Sequence, residues 1–162
     1  CNGFTLGSHG EYFEKRTSTK NIQFPYSAYS GHFCLGIIYD RADGMTIDET
    51  KTYDINKLHS ITSVVKNFQF FVTEKWKIAS DKGGSGNTAN IGSINNISDI
   101  ISGQGMFSKL GENWFDDYWM NYKKITIPDG KGGTKKISTL REFVEYRNGD
   151  VNLIVEKRNC EE

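Results

Sequence analysis

The pattern of apolar and polar residues in the first half of the chain predicts strands and one helix. Residues 32–39 form a continuous apolar run of strand length, which ends at an Asp-Gly turn signal. Because residues 45–53 resume an extended pattern, we expect these two segments to pair as a hairpin. From Asp54, a plausible N-cap, apolar residues recur with helical spacing, and residues 68–78 are aromatic and β-branched like a long strand. The predicted order is strand, strand, helix, strand.

The second half of the chain predicts a long loop followed by helices. Residues 80–96 contain four glycines together with serine, asparagine and threonine, a composition that predicts a loop unable to pack a core. Isoleucines in residues 93–101 share one helical face, and Gly103 is placed to end that short helix. Large apolar side chains then recur at helical spacing over residues 110–122, which predicts an amphipathic helix with an aromatic face directed into the core.

The last forty residues predict a turn, a helix and a strand. Residues 128–133 combine proline, aspartate and glycine, which is typical of a turn between two short extended segments. Thr139 and Glu142 match a capping box, and Asn148-Gly149 is a helix stop signal. Residues 151–156 predict a final strand.

Together these elements predict an α/β (α+β) fold, with a mixed central β-sheet and flanking helices in a single domain over residues 1–162. Compact domains of about 100–150 residues are common, so a second domain is not expected. The chain begins at Cys1 and not at Met. We therefore also consider that it is the C-terminal part of a longer chain.

Charge and cysteine usage narrow the function classes. Twenty basic residues balance twenty acidic ones, so an anionic partner must be bound by a local patch and not by net charge. No apolar stretch approaches the length of a membrane span, and no signal region opens the chain. The three cysteines lack zinc-site spacing. Cys34 lies within an apolar segment, which favours a reducing cytoplasm over an oxidising compartment.

Two carboxylates and a lysine form the first candidate site. If the predicted hairpin forms, Asp40 and Glu49 lie near one another, and Lys51 shares a strand face with Glu49. Carboxylates can hold Mg²⁺, which offsets charge in phosphodiester hydrolysis and acidifies a bound water, while a lysine orients that water or stabilises developing charge. The alternative is a solvated, acidic hairpin end without chemistry.

The basic and glycine-rich run from residue 74 to 93 is the second candidate site. It offers cations, a tryptophan for stacking, freely approached backbone N–H groups and short polar side chains, which together suit phosphates or base edges. The predicted contacts are Lys75, Lys77, Lys82, Ser85, Asn87 and Asn90. The spacing excludes a nucleotide P-loop. The alternative is a flexible surface loop.

A third candidate is the segment over residues 11–20, where a carboxylate stands beside Lys15 and Arg16. It could supply a second site made of a metal-binding carboxylate and a lysine, although an exposed edge strand is the simpler interpretation. The three histidines form no catalytic or metal-binding pattern, and we expect each to be structural or solvated.

Residues 11–20, the apolar strand to Asp40, the Glu49-Thr-Lys51 triplet and the glycine-rich loop together resemble type II restriction endonucleases of the PD-(D/E)XK class. The resemblance implies a mixed sheet flanked by helices, and a homodimer acting on palindromic double-stranded DNA in the cytoplasm. It implies Mg²⁺ held by Asp40 and Glu49, with Lys51 as the catalytic lysine. No proline precedes Asp40 and the spacer is short, so the acidic pair is alternatively placed around Glu14 or upstream of Cys1.

Two other functions remain open from the sequence. One is a non-enzymatic extracellular or cell-envelope binding module with a Cys1–Cys160 disulfide and a glycosylation acceptor at Asn96. A count of free thiols distinguishes it: three argue against the bridge and one supports it. The other is a degenerate nuclease fold kept for DNA or protein binding, which would bind DNA in a salt-dependent way without metal-dependent cleavage.

Overall fold

A computed structural model of the protein describes residues 3–9, 28–44, 48, 50–84 and 90–158. It contains both helices and antiparallel strands, and the predicted α+β class is confirmed. The strands are β1 (Thr5–Ser8), β2 (Phe33–Arg41), β3 (Val65–Glu74), β4 (Ala79–Gly83), β5 (Asn90–Ser93), β6 (Thr126–Pro128) and β7 (Thr134–Lys136). The helices are α1 (Ile97–Ser102), α2 (Glu112–Asn121) and α3 (Leu140–Tyr146), with 3-10 turns at Ile55–Ser60, Lys75–Ile78 and Val151–Leu153.

The chain divides into two compact units. The larger unit comprises Cys1–Cys34 and Thr73–Glu162, and the smaller unit is Leu35–Val72. The described strands form three small sheets, in the orders β1-β5-β4, β2-β3 and β6-β7. None of the helices in the described residues is long and apolar enough to cross a membrane.

The core of the larger unit is built by the aromatic face of α2, as the helical spacing predicted. Phe115, Tyr118 and Trp119 are each at most 1% exposed. They pack edge-on against neighbouring rings, which is the arrangement that aromatic quadrupoles favour. The buried Tyr118 hydroxyl donates to the backbone oxygen of Asp81 at 2.6 Å, and burial raises the pKa of Tyr118. This hydrogen bond ties α2 to β4.

The ends of the short helices follow their capping residues. Thr139 Oγ1 accepts a hydrogen bond from the Glu142 backbone N–H at 3.3 Å, which confirms the predicted start of α3. Gly103 ends α1 with a φ of 65°, in the left-handed region that glycine adopts without a steric penalty. The predicted final strand is wrong. Val151–Leu153 is a 3-10 turn, because the Asp150 side chain accepts from the Asn152 N–H and starts a helical turn.

The prediction of a loop over residues 80–96 is wrong at both ends of that segment. β4 and β5 form an antiparallel pair with Gly83 opposite Ile91, and β5 also pairs with β1. Ile91 is fully buried. A strand that lies between two neighbours gains its backbone hydrogen bonds from both, so few apolar side chains are needed to hold it.

The smaller unit contains most of β2 and β3 and the Ile55–Ser60 turn. The Ala42 N–H donates to the Val64 oxygen at 2.9 Å where the two strands begin their antiparallel pairing. Of the residues that the structure describes in this unit, none is buried. Asp54 accepts from the Asn56 N–H at 2.8 Å and caps the 3-10 turn, as predicted. The helix does not continue, because Val65 and Phe68 lie in β3.

The predicted hairpin between β2 and residues 45–53 is also wrong. β2 pairs with β3, and among the described residues of that segment, 48 and 50–53, none is in a strand. Asp48 accepts from the Thr50 N–H at 3.0 Å and from its hydroxyl at 2.6 Å. These bonds lower the pKa of Asp48 and fold the chain into a local turn.

Candidate nucleic-acid interface

The paired strands β4 and β5 contain residues 79–83 and 90–93 of the predicted contact run. The Gly84 N–H donates to the Asn90 oxygen at 3.1 Å, so the ladder extends to the start of the connection. Asn90 is opposite Ser8 of β1, and its Oδ1 accepts from the Ser8 hydroxyl at 3.5 Å. Two of the predicted contacts, Ser85 and Asn87, lie outside the described residues. The connection that carries them therefore leaves and re-enters a three-stranded sheet.

Two glycines let the backbones of this hairpin approach closely. A Cβ on Gly92 would lie 2.5 Å from the Lys82 oxygen, and a Cβ on Gly84 would lie 2.8 Å from the Gly92 Cα. Both contacts are with backbone, which cannot turn aside as a side chain can. Glycine at these positions is thus required by packing. The sequence showed the glycines but not which of them face each other.

Lys77 and Lys82 present positive charge on this unit. Lys82, in β4, is exposed. Lys77 forms an ion pair with Glu74, and its Nζ lies 5.2 Å from the centre of the Trp76 ring. The Lys82 ammonium is open to an anion, whereas Lys77 would exchange its ion pair with Glu74 for the new contact. Both lysines lie at the surface, and their contact with DNA stays a prediction.

Lys75 differs from the other two lysines because it is only 8% exposed. A Cβ added to Gly7 on β1 would lie 3.5 Å from its Nζ, so the ammonium lies against the backbone of that strand. Burial lowers the pKa of Lys75 to about 8, while the negative charge of Asp116 partly opposes that shift. A buried ammonium has little surface to offer a phosphate.

Asp116 is a residue of this site that the sequence analysis missed. It lies in α2 between the core residues, and its Oδ1 is buried without a hydrogen-bond partner among the described residues. Burial raises the pKa of Asp116 to about 6, with a further contribution from the nearby charge of Glu112. The sequence signal that could have identified Asp116 was an acidic residue next to Phe115 on the aromatic face of the predicted helix.

The candidate metal site falls in the smaller unit. Asp40 lies near the end of β2 and accepts a hydrogen bond from Asn67 Nδ2 at 2.6 Å. The Lys51 ammonium lies 5.1 Å from the centre of the Tyr53 ring. Glu49 is outside the described residues, as are Glu14 and residues 11–20. Within the described part of the chain, no three His, Cys, Asp or Glu side chains form a group that could hold a metal ion.

Comparison with known proteins supplies the family. A family profile described as restriction endonuclease EcoRV matches residues 1–148. The type II restriction enzyme EcoRV of Escherichia coli is 41% identical over 124 residues, which is 76% of this chain and 49% of that enzyme. The chain belongs to the EcoRV restriction endonuclease family. The resemblance to type II restriction endonucleases is thereby confirmed.

The match to the EcoRV family includes the segments of both candidate sites, but it does not assign a role to any of their residues. The profile match includes β2, the hairpin of β4 and β5, and all of α3. The chain spans about half the length of the curated EcoRV relative that it matches. The roles predicted for Asp40, Glu49 and Lys51, and for the polar residues of the hairpin, stay predictions.

Proposed function

We propose that this chain takes part in the cleavage of double-stranded DNA as a restriction-type endonuclease, and that the β4–β5 hairpin is its DNA contact. The observation that carries the proposal is a glycine-rich connection held at both ends by a sheet in an EcoRV-family chain. Rigid strands place the ends of the connection, so its polar groups can be presented to a duplex in a defined register.

We propose that Lys77 and Lys82 contact phosphates, and that Ser85, Asn87 and Asn90 contact phosphates or base edges. Lys77 and Lys82 are the cations of the run that combine surface exposure with proximity to the hairpin. Lys75 is assigned a supporting role behind the surface, because its ammonium is buried. Phosphate contacts add affinity at any sequence, whereas the amides supply discrimination.

DNA binding measured at several salt concentrations tests the contact surface. Each lysine that meets a phosphate contributes about 0.9 to the slope of log K against log salt. Lys77→Ala and Lys82→Ala should each lower the slope by about that amount. Lys75→Met should leave the slope unchanged. Lys136→Ala, an exposed lysine of β7, is the matched control. Equal loss for Lys136→Ala would refute a contact surface at the hairpin.

For the chemistry, we propose Mg²⁺-dependent hydrolysis with Asp40 and Glu49 as ligands and Lys51 as the lysine of the site. When bound, the metal would offset the charge of the transition state and acidify a water. Asp40→Asn and Lys51→Ala should then abolish cleavage while leaving DNA binding intact. Full cleavage by either variant would reject this assignment and favour an acidic pair around Glu14 or outside the chain. A homodimer on palindromic DNA and a cytoplasmic location belong to the same proposal.

The binding-module alternative is less well supported. Asn96 Oδ1 accepts a hydrogen bond from the Asp99 N–H at 3.1 Å and caps α1. The side chain proposed as the glycosylation acceptor is therefore engaged in a helix cap. Cys34 is not in a disulfide, and burial raises the pKa of its thiol. Cys1 and Cys160 lie outside the described residues. Three reactive thiols in the denatured protein would exclude the bridge, and one would favour the module.

A further inference from the structure

The strand β4 is irregular just before the proposed DNA contact begins. Ala79 is opposite Ser93 and Gly83 is opposite Ile91, so three residues of β4 face a single residue of β5. An irregularity of this kind, a β-bulge, bends a strand, and bulges are common next to functional sites. Asp81 is the middle residue of the bulge. The shape of the bulge therefore sets the direction in which the glycine-rich connection leaves the sheet.

Short-range hydrogen bonds fix the backbone of the bulge. Ser80 Oγ accepts from the Lys82 N–H and donates to the Lys82 oxygen, both at 3.1 Å. The Lys82 oxygen also lies against Gly92 of β5, where an added Cβ would approach it to 2.5 Å. The residues on either side of Asp81 are thus held in one arrangement, packed closely on the partner strand.

Asp81 joins the bulge to two helices. Its Oδ2 accepts a hydrogen bond from the Leu140 N–H at 3.2 Å, and its backbone oxygen accepts from the Tyr118 hydroxyl at 2.6 Å. Leu140 is the first residue of α3, and the backbone N–H of a first residue has no acceptor within its own helix. Asp81 is only 9% exposed, and Leu140 and Tyr118 are buried. Both hydrogen bonds are therefore shielded from water.

The sheet alone does not fix this part of β4. Among the described strands the order is β1-β5-β4, so β4 has a neighbouring strand on one side. Within the bulge, the regular ladder to that neighbour is interrupted as well. The position of the bulge consequently depends on α2 and α3, which reach it through the two bonds to Asp81.

We propose that Asp81 is a positioning residue for DNA recognition, which fixes the β4–β5 hairpin relative to α2 and α3. The proposal rests on the DNA contact proposed above for this hairpin. Asp81 is itself too buried to meet DNA, but it directly precedes the exposed Lys82. A binding site must be held to about 0.5 Å to be productive. A loosened bulge should therefore cost discrimination between base sequences more than it costs contact with phosphates.

Amide hydrogen exchange in the 162-residue chain tests the positioning without DNA. The Gly84 N–H donates to the Asn90 oxygen at 3.1 Å, so its exchange reports whether the ends of the hairpin are held together. Asp81→Leu should speed exchange at Gly84 on the order of tenfold. Asp81→Asn should not, because its amide oxygen can still accept from the α3 backbone.

Val144→Ala is the matched control for a general loss of stability. It leaves a cavity in α3, where Val144 is fully buried, but it keeps the bond between Asp81 and Leu140. Unchanged exchange at Gly84 in Asp81→Leu would overturn the proposal. Equally faster exchange in Val144→Ala would overturn it too, because the effect would then follow from lower stability alone.

Affinities for two DNA duplexes test the role in recognition. One duplex is selected from a random pool by the unaltered chain, and the other has the same bases in scrambled order. Asp81→Leu should lower the ratio of the two affinities about tenfold, with the salt dependence of binding unchanged because phosphate contacts are kept. Asp81→Asn and Val144→Ala should keep the ratio. Tyr118→Phe deletes one of the two bonds to Asp81, so it should lower the ratio by a smaller factor.

The two measurements separate this proposal from the DNA contact on which it rests. Tyr118→Phe carries both tests if Asp81→Leu does not fold. A ratio that is unchanged in the variants would overturn the role of Asp81 in recognition, even with faster exchange at Gly84. If the unaltered chain binds neither duplex, the DNA contact of the hairpin is refuted, and the role in recognition with it.

Discussion

The two units of this chain use similar apolar residues to opposite effect. In the larger unit, α2 directs its rings inward, and Phe115 and Trp119 are fully buried. In the smaller unit, Phe70 and Leu35 are about two-thirds exposed, and no described residue is buried. The difference lies in the number of layers. A helix over a sheet encloses a core, whereas a lone two-stranded sheet has nothing to enclose.

The largest expected effect is a contrast between truncations in the two units. Phe115→Ala should destabilise the larger unit by about 3–5 kcal/mol, because it removes a fully buried ring and leaves a cavity. Phe70→Ala should change the stability of the chain alone by no more than about 0.5 kcal/mol. Urea unfolding of both variants measures the contrast. A similar loss for Phe70→Ala would mean that the Phe70 ring is buried in solution.

Two tightly packed glycines sharpen the same comparison. Gly92→Ala should cost about 1–3 kcal/mol and weaken DNA binding, since the new Cβ meets the Lys82 backbone oxygen. Gly36→Ala in the smaller unit is the matched variant. Its Cβ would meet the outer end of the Phe71 ring, which can rotate away, so we expect a change of less than about 0.5 kcal/mol.

Thermal unfolding compares the stabilities of the Gly36→Ala and Gly92→Ala variants. DNA affinity is then measured for the same two proteins. If Gly36→Ala destabilised the chain as much as Gly92→Ala, the Phe71 ring would have to be held as firmly as backbone. If Gly92→Ala left both stability and DNA affinity unchanged, the close approach of β4 and β5 would not matter for the proposed contact.

A third expected effect is a pH dependence of stability that arises in the larger unit. The pKa of Asp116 is raised by burial from its usual 3.8 to about 6, so the folded state binds more protons than the unfolded state between these values. The free energy of unfolding should therefore fall as pH rises from about 4 to 6, by roughly 1–3 kcal/mol. Asp116→Asn should remove this slope. An unchanged slope would assign it to another group.

Lys75 should make the free energy of unfolding depend on pH with the opposite sign, and at higher pH. Its pKa is lowered by burial from 10.5 to about 8, so the unfolded state binds more protons in that window. Stability should rise as pH increases from about 8 to 10, and Lys75→Met should flatten the rise. Unfolding in urea across this range, with Lys136→Ala as the exposed control, measures it.

The fold could be predicted from sequence where local physics decides. The Thr139 cap, the Gly103 stop and the aromatic stripe of α2 depend on residues within a few positions of one another. Pairing between strands was harder. β2 was assigned to the extended segment that follows it, but its partner β3 begins more than twenty residues later. Apolar residues with helical spacing near Val65 concealed the start of that strand.

The candidate site also has features that the local sequence indicates and features that depend on packing between distant segments. The glycine-rich run was recognisable because its composition is unusual, and Lys82 within it is exposed. That Lys75 would be buried near Asp116 was not recognisable, because the two residues are 41 positions apart and the contact depends on how α2 packs. Similarly, nothing local indicates that Gly84 and Gly92 touch.

The sequence by itself determined the α+β class, the helix caps, the aromatic core helix and the resemblance to restriction endonucleases. Each of these is encoded in neighbouring residues or in a short, unusual run. Only the tertiary structure decided which strand pairs with β2, that Ile91 is buried in a predicted loop, and that one lysine of three is withdrawn from solvent. The physical reason is that burial and pairing depend on contacts between distant segments, which no local pattern specifies.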